Sequence, residues 1–131
     1  MDELIGKRLI AVERLAWSKA DGTADIRVGP VHMHFDGGRG AFFSGNSDWT
    51  FDVVGTRAGD ESWLAPFQDD IDGGRWTMRD AADEPPFAGF RGSRLESWTS
   101  LRNEIGEQVG VDLAFDLGNI SLKVHKGEVT T

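Results

Sequence analysis

The chain contains no cysteine and no tyrosine, and it has only four prolines among 131 residues. Without cysteine, a disulfide scaffold, an iron–sulfur cluster, a thiolate zinc site and a cysteine nucleophile are all excluded, and a reducing compartment fits. Long apolar runs are missing as well. The stretch at residues 9–12 is four residues long, against about 7–15 for a signal core and about 20 for a membrane helix. Asp2 and Glu3 stand where a secretory signal carries positive charge. These features predict a soluble, cytoplasmic protein with no membrane association. Basic residues are outnumbered, 14 Lys and Arg against 22 Asp and Glu for a net charge of −8, which argues against nucleic acid as the partner. No Gly-x-Ser-x-Gly elbow and no glycine-rich phosphate loop occurs, so the sequence assigns no catalytic residue and implies no cofactor.

What the chain does have is apolar content of 39%, including 5 Trp and 8 Phe, enough for one folded domain of ordinary size. Its Ala-, Arg-, Asp- and Gly-rich composition suits a GC-rich bacterial genome. It also has an internal resemblance. Gly6-Lys7-Arg8-Leu9 recurs as Gly92-Ser93-Arg94-Leu95. Val31-His32-Met33-His34-Phe35-Asp36 recurs as Val111-Asp112-Leu113-Ala114-Phe115-Asp116. We read this as a duplication, residues 6–54 and 92–131, joined by an acidic connector at 60–84.

Period two dominates inside each copy. Val31, Met33 and Phe35 alternate with His32 and His34; Val111, Leu113 and Phe115 alternate with Asp112 and Ala114; Ile120, Leu122 and Val124 alternate with Ser121, Lys123 and His125. Asp36-Gly37-Gly38 and Leu117-Gly118-Asn119 supply tight turns between runs. The expected fold is mostly β: two repeated antiparallel meanders packed as a sandwich or barrel. At most one short helix is expected, within residues 60–68, with Asp60 as its N-cap. Residues 95–108 show helical spacing too, but the repeat maps them onto a strand.

The connector holds eight acids and two bases, interleaved with Trp63, Phe67 and Trp76. Such a surface suits capture of a basic protein, since concentrated charge steers association and Trp anchors interfaces. The expected protein-binding residues are therefore Trp63, Asp69, Asp70, Asp72 and Trp76, in a non-enzymatic immunity-type inhibitor or adaptor. Two other readings stand beside it. One is a β-barrel carrier of a small apolar ligand; the other is a hydrolase or isomerase working through His and carboxylates. The second copy has little chain left for a fourth strand, which predicts an open edge and a homodimer through it.

Two motifs bear on metals. His32-Met33-His34 points both imidazoles to one side of a strand. The Glu that follows such a pair in a cupin metal motif has no counterpart, because Gly38 and Arg39 occupy those positions. A third ligand would have to come from Asp36, Asp112 or His125, and we expect both His on the sheet's wet face as surface residues, with no metal. The stretch at residues 68–73 resembles a calcium loop, but with Gly73 in the sixth position, Arg79 stands where the bidentate Glu belongs. Asp69, Asp70 and Asp72 could form only a looser cation site.

Overall fold

A computed structural model of the chain describes residues 1–22, 28–67 and 74–131. Nine strands form two antiparallel sheets. The first is built from β1 (Leu9–Ser18), β2 (Val31–Phe35), β3 (Arg39–Gly45), β4 (Phe51–Arg57) and β5 (Arg75–Asp80), in the order β4-β3-β2-β1-β5. The second is β6 (Leu95–Arg102), β7 (Gln108–Phe115), β8 (Gly118–His125) and β9 (Glu128–Thr130), a meander in chain order. The sheets do not close into a barrel. Among the described residues there is no α-helix, only 3-10 turns at Asp2–Leu4, Asp36–Gly38 and Ser62–Phe67. None is long and apolar enough to cross a membrane.

The core lies between the sheets. Val31, Met33 and Phe35 from β2 meet Leu113 and Phe115 from β7 and Ile120 and Leu122 from β8. Burying a side chain of this size contributes about 1.5–3 kcal/mol. The alternation in β2, β7 and β8 selects which side chains face inward, as the period of two requires.

Where the sheets join, hydrogen bonds come in matched sets. Arg8 and Arg94 form an antiparallel bridge. Gly6 N–H donates to Leu95 O at 2.7 Å, and Gly92 N–H donates to Leu9 O at 2.7 Å. Leu9 N–H donates to Ser93 O at 2.8 Å, and Leu95 N–H donates to Lys7 O at 2.9 Å. Gly6 and Gly92 hold the same left-handed backbone, φ 88° and 87°, which glycine adopts without steric cost. The aspartates following β2 and β7 repeat the theme: Asp36 Oδ1 accepts from Arg8 N–H, and Asp116 Oδ1 accepts from Arg94 N–H.

Three features differ from expectation. Part of the connector is a strand, β5, which pairs with β1 from Glu13↔Asp80 to Ser18↔Arg75 and widens the first sheet. The second meander does have a fourth strand, β9, of three residues. Val28 and Gly29 pair with its outer side, through the bridge Val28↔Thr130 and the bond from Gly29 N–H to Val129 O at 2.9 Å. Finally, part of the first sheet's outer face is covered rather than wet. Residues 40–43 are all buried, because the 3-10 turn at Ser62–Phe67 lays Trp63 and Phe67 across Phe42.

Candidate metal centre

A β-bulge in β1 determines what stands on that outer face. The register with β2 slips between Leu9 and Ala11, so that Leu9 and Val12, three residues apart, both face the core. The inserted residue reverses the parity of everything after it. Glu13 is thereby turned outward, directly opposite His32. The same slip occurs in β6 between Leu95 and Ser97.

His32 and His34 project from the same face of β2, their ring centroids 4.2 Å apart. Glu13 reaches them from the neighbouring strand, β1. His34 Nε2 is in hydrogen-bond contact with Glu13 Oε1, and His32 Nδ1 is 3.5 Å from the same oxygen. One ligating atom from each of the three residues falls within 4.8 Å of the others. His32 is 3% exposed, which corrects the expectation of a surface histidine. Its cover comes from Trp63, whose ring centroid is 4.1 Å away, a contact between segments that local alternation cannot reveal.

The two nitrogens of His32 are in different situations. Nε2 is 2.7 Å from Thr56 Oγ1 on β4. Nδ1 has no hydrogen bond among the described residues and faces the Glu13 carboxylate. When Nε2–H donates to Thr56, the Nδ1 lone pair is aimed at Glu13 and His34, and an outer hydrogen bond of this kind is what fixes the tautomer of a ligating imidazole. Burial, reinforced by the neighbouring His34, pushes the His32 pKa down to about 4 against the opposing pull of Glu13. The ring is therefore neutral at pH 7, the state in which it can ligate.

The cluster opens into a cavity of about 620 Å³ whose lining includes Ile10, Thr56, Arg39 and Arg57 beside the three candidate ligands. Its size falls in the range of small-molecule sites, about 300–1,000 Å³. On its far side from the cavity, His32 begins a continuous aromatic row: Trp63 to Phe42 at 4.7 Å, Phe42 to Phe67 at 5.5 Å, Phe67 to Trp76 at 5.2 Å, and Trp76 to Trp17 at 5.5 Å.

Of the residues expected to bind a protein, Trp63 and Trp76 belong to this row and are half-buried. Asp69, Asp70 and Asp72 lie outside the described residues. None of the third ligands considered for the His pair is in the cluster. Asp36 bonds Arg8 N–H, Asp112 bonds Ser121, and His125 packs on Trp49 at 5.9 Å. Glu13 escaped the sequence reading; its signal is an acid that stands beside Arg14 in the otherwise apolar run of residues 9–17, interpretable only with the bulge in hand. Searches against protein families, curated proteins and solved structures find no match to this chain.

Proposed function

We propose that the chain binds a divalent transition-metal ion through Glu13, His32 and His34 and presents it to the adjoining cavity. The observation that carries this reading is the convergence of the three ligand atoms within 4.8 Å, one of them a buried imidazole nitrogen with no hydrogen bond among the described residues. With Nε2–H donating to Thr56, the Nδ1 lone pair faces the Glu13 carboxylate oxygen at 3.5 Å, two acceptors that cannot satisfy one another, and a cation placed between the three groups would satisfy both. Two imidazoles and one carboxylate suit zinc, or iron(II) in a facial arrangement. Three protein ligands leave coordination positions for water or substrate, as catalytic sites do and closed structural sites do not. A bound metal there would polarise a substrate oxygen or lower the pKa of water to about 7, which favours the hydrolase or isomerase reading over an inert carrier.

The two meanders offer a comparison. We read them as duplicated, a reading supported by the matched hydrogen bonds around Arg8 and Arg94. Aligned by the repeat, the positions of Glu13, His32 and His34 hold Thr99, Asp112 and Ala114 in the second copy. The second meander forms without the cluster, so the fold does not call for it.

Cobalt(II) titration followed by visible absorption tests the proposal. The wild-type protein should bind one ion with a ligand-field band. His34→Ala and Glu13→Gln should weaken binding by at least about 100-fold, beyond the loss of an outer partner, while His125→Ala should leave it unchanged. Binding that is absent, or insensitive to His34→Ala, would falsify the site.

Charge rather than geometry supports a second reading, in which residues 60–84 dock a basic protein, since they hold eight of the chain's acids. A lysate partner whose salt-sensitive binding survives neutralisation of Asp69, Asp70 and Asp72 would remove it.

A further inference from the structure

The strands β4, β5, β6 and β9 stand at the ends of the two sheets, and they differ in what their edges offer. β9 has company on its outer side, through Val28 and Gly29. The register of β6 slips at both ends, between Leu95 and Ser97 and between Leu101 and Arg102, and bulges of this kind spoil an edge for further pairing. β5 runs without a slip against β1, but a two-fold pairing centred on Thr77 sets Arg75 against the second copy's Arg79, like charges that repel. β4 runs in unbroken register with β3 from Arg39↔Arg57 to Gly45↔Phe51, and Val53-Val54-Gly55 at its middle carries no charge.

The phase of the β3–β4 ladder determines which backbone groups face outward. Ala58 N–H donates to Gly38 O at 2.9 Å, and Asn46 N–H donates to Thr50 O at 2.9 Å, one bond at each end. Both bracket non-hydrogen-bonded pairs. Asp52, Val54 and Thr56 therefore direct their N–H and C=O groups to β3, while Phe51, Val53, Gly55 and Arg57 direct theirs away from it. Asp60 N–H takes up Arg57 O at 3.1 Å. The outward groups of Val53 and Gly55 have no backbone partner among the described residues. Val54 stays 48% exposed, with Asp52, Gly55 and Arg57 exposed beside it. Such an edge is a template for another strand.

We infer that β4 pairs with β4 of a second copy, antiparallel about a two-fold axis at Val54. Val53 of each copy then exchanges N–H···O bonds with Gly55 of the other, and Phe51 pairs with Arg57 at each end. This register matches every outward-facing residue of one strand with an outward-facing residue of the other. No like charges meet, since Asp52 stands across from the second copy's Thr56. Val54 meets its own counterpart on the outer face, a contact between β-branched side chains. The pairing joins two five-stranded sheets edge to edge, an isologous contact of the kind that closes a two-fold dimer. The homodimer expected through the second meander thus moves to the first, and it does not depend on metal binding. A single strand pair is a small interface, so association is reversible and rises with concentration.

Sedimentation velocity of the full chain, from micromolar to millimolar concentration, tests the pairing. The mass should rise from 14.4 kDa toward twice that value. Val54→Lys and Val54→Glu each place like charges on the axis, at a side chain that is already half-exposed. Each should weaken the dimer by at least about tenfold and leave the far-ultraviolet circular dichroism unchanged. Mixed in equal amounts, the two variants should recover the association, because only a two-fold axis at Val54 sets this residue opposite itself. In the wild type, amide exchange at Val53 and Gly55 should be slow at high concentration and fast on dilution. A chain that stays monomeric throughout, a dimer indifferent to both substitutions, or variants that fail to recombine would overturn the inference. A stable dimer with fast exchange at Val53 and Gly55 would overturn it as well, by placing the contact elsewhere.

Discussion

Thr56 reaches His32 across an intervening strand, its Oγ1 2.7 Å from Nε2. Gly40 on β3 lies between them, paired with Thr56 on one side and His34 on the other. The hydroxyl holds the imidazole in one orientation and leaves Nδ1 to the cluster. Thr56→Val keeps the shape and removes the bond. We expect it to weaken cobalt or zinc binding by about 10–100-fold, the usual cost of losing an outer-shell partner, with Thr56→Ser restoring most of the affinity. Equal affinities for wild type and Thr56→Val in a chelator-competition titration would show that the contact does not position the ring.

Gly40 makes that contact sterically feasible. A Cβ there would sit 2.6 Å from Met33 O and 2.7 Å from Thr56 Oγ1, closer than real side chains come. Gly40→Ala should destabilise the fold by about 1–3 kcal/mol, the range for overpacking, and should impair metal binding in the molecules that remain folded. Urea denaturation at a single pH measures the first effect. An unchanged midpoint would mean that β3 shifts freely at this point.

The sandwich of meanders was legible because Val31, Met33, Phe35 and their counterparts Val111, Leu113 and Phe115 alternate without interruption, and alternation is a local property. The pairing of His32 with Glu13 was not legible, because it depends on a one-residue slip between Leu9 and Ala11. Inside a run of mixed apolar residues, such a slip leaves no local trace. The cover over His32 was hidden for a different reason. Trp63 was singled out, but its position on the sheet is set by the chain's return to form β5, and that pairing joins segments some 60 residues apart, Glu13 with Asp80 and Trp17 with Trp76.

Trp63 provides an internal reporter. Its ring is 4.1 Å from His32, whereas Trp98 lies on the other sheet, its Nε1–H donating to Asp2 Oδ1 at 2.8 Å. Quenching of indole emission by a bound transition ion falls steeply with distance. Cobalt(II) should therefore quench Trp63 most, Trp76 less and Trp98 least. Trp63→Phe keeps an aromatic cover on His32 and should remove most of the quenching; Trp98→Phe should leave the quenched fraction intact. Quenching that persists in Trp63→Phe would place the ion elsewhere.

The junction between the sheets should be acid-sensitive through Asp116. Ser93 Oγ–H donates to its Oδ1 at 2.6 Å and Arg94 N–H at 3.1 Å. The serine hydroxyl first, then the backbone N–H, hold this carboxyl below its usual value of 3.8. A pKa depressed by folding adds stability in full above the unfolded-state value, and that stability is lost as pH falls through the folded-state value. Ser93→Ala should therefore lower the urea midpoint at pH 7, and the gap from wild type should narrow near pH 3. A gap that is constant with pH would assign the effect to packing at Ser93 alone.

Phe35 and Phe115, at matched positions of the two meanders, stack with parallel planes and centroids 6.4 Å apart. Both are buried, so Phe35→Leu and Phe115→Leu should each destabilise by about 1–3 kcal/mol. Phe115→Leu should cost more, because Phe90 also packs edge-on against Phe115 at 5.5 Å. The stack itself predicts a coupling of about 0.5–1.5 kcal/mol in the double-mutant cycle, beyond the area each ring buries. Costs that add within about 0.3 kcal/mol would show that the rings behave as independent neighbours. A measured coupling would instead make this pair a direct energetic link between the two meanders, on the core face, opposite the face that carries Glu13, His32 and His34.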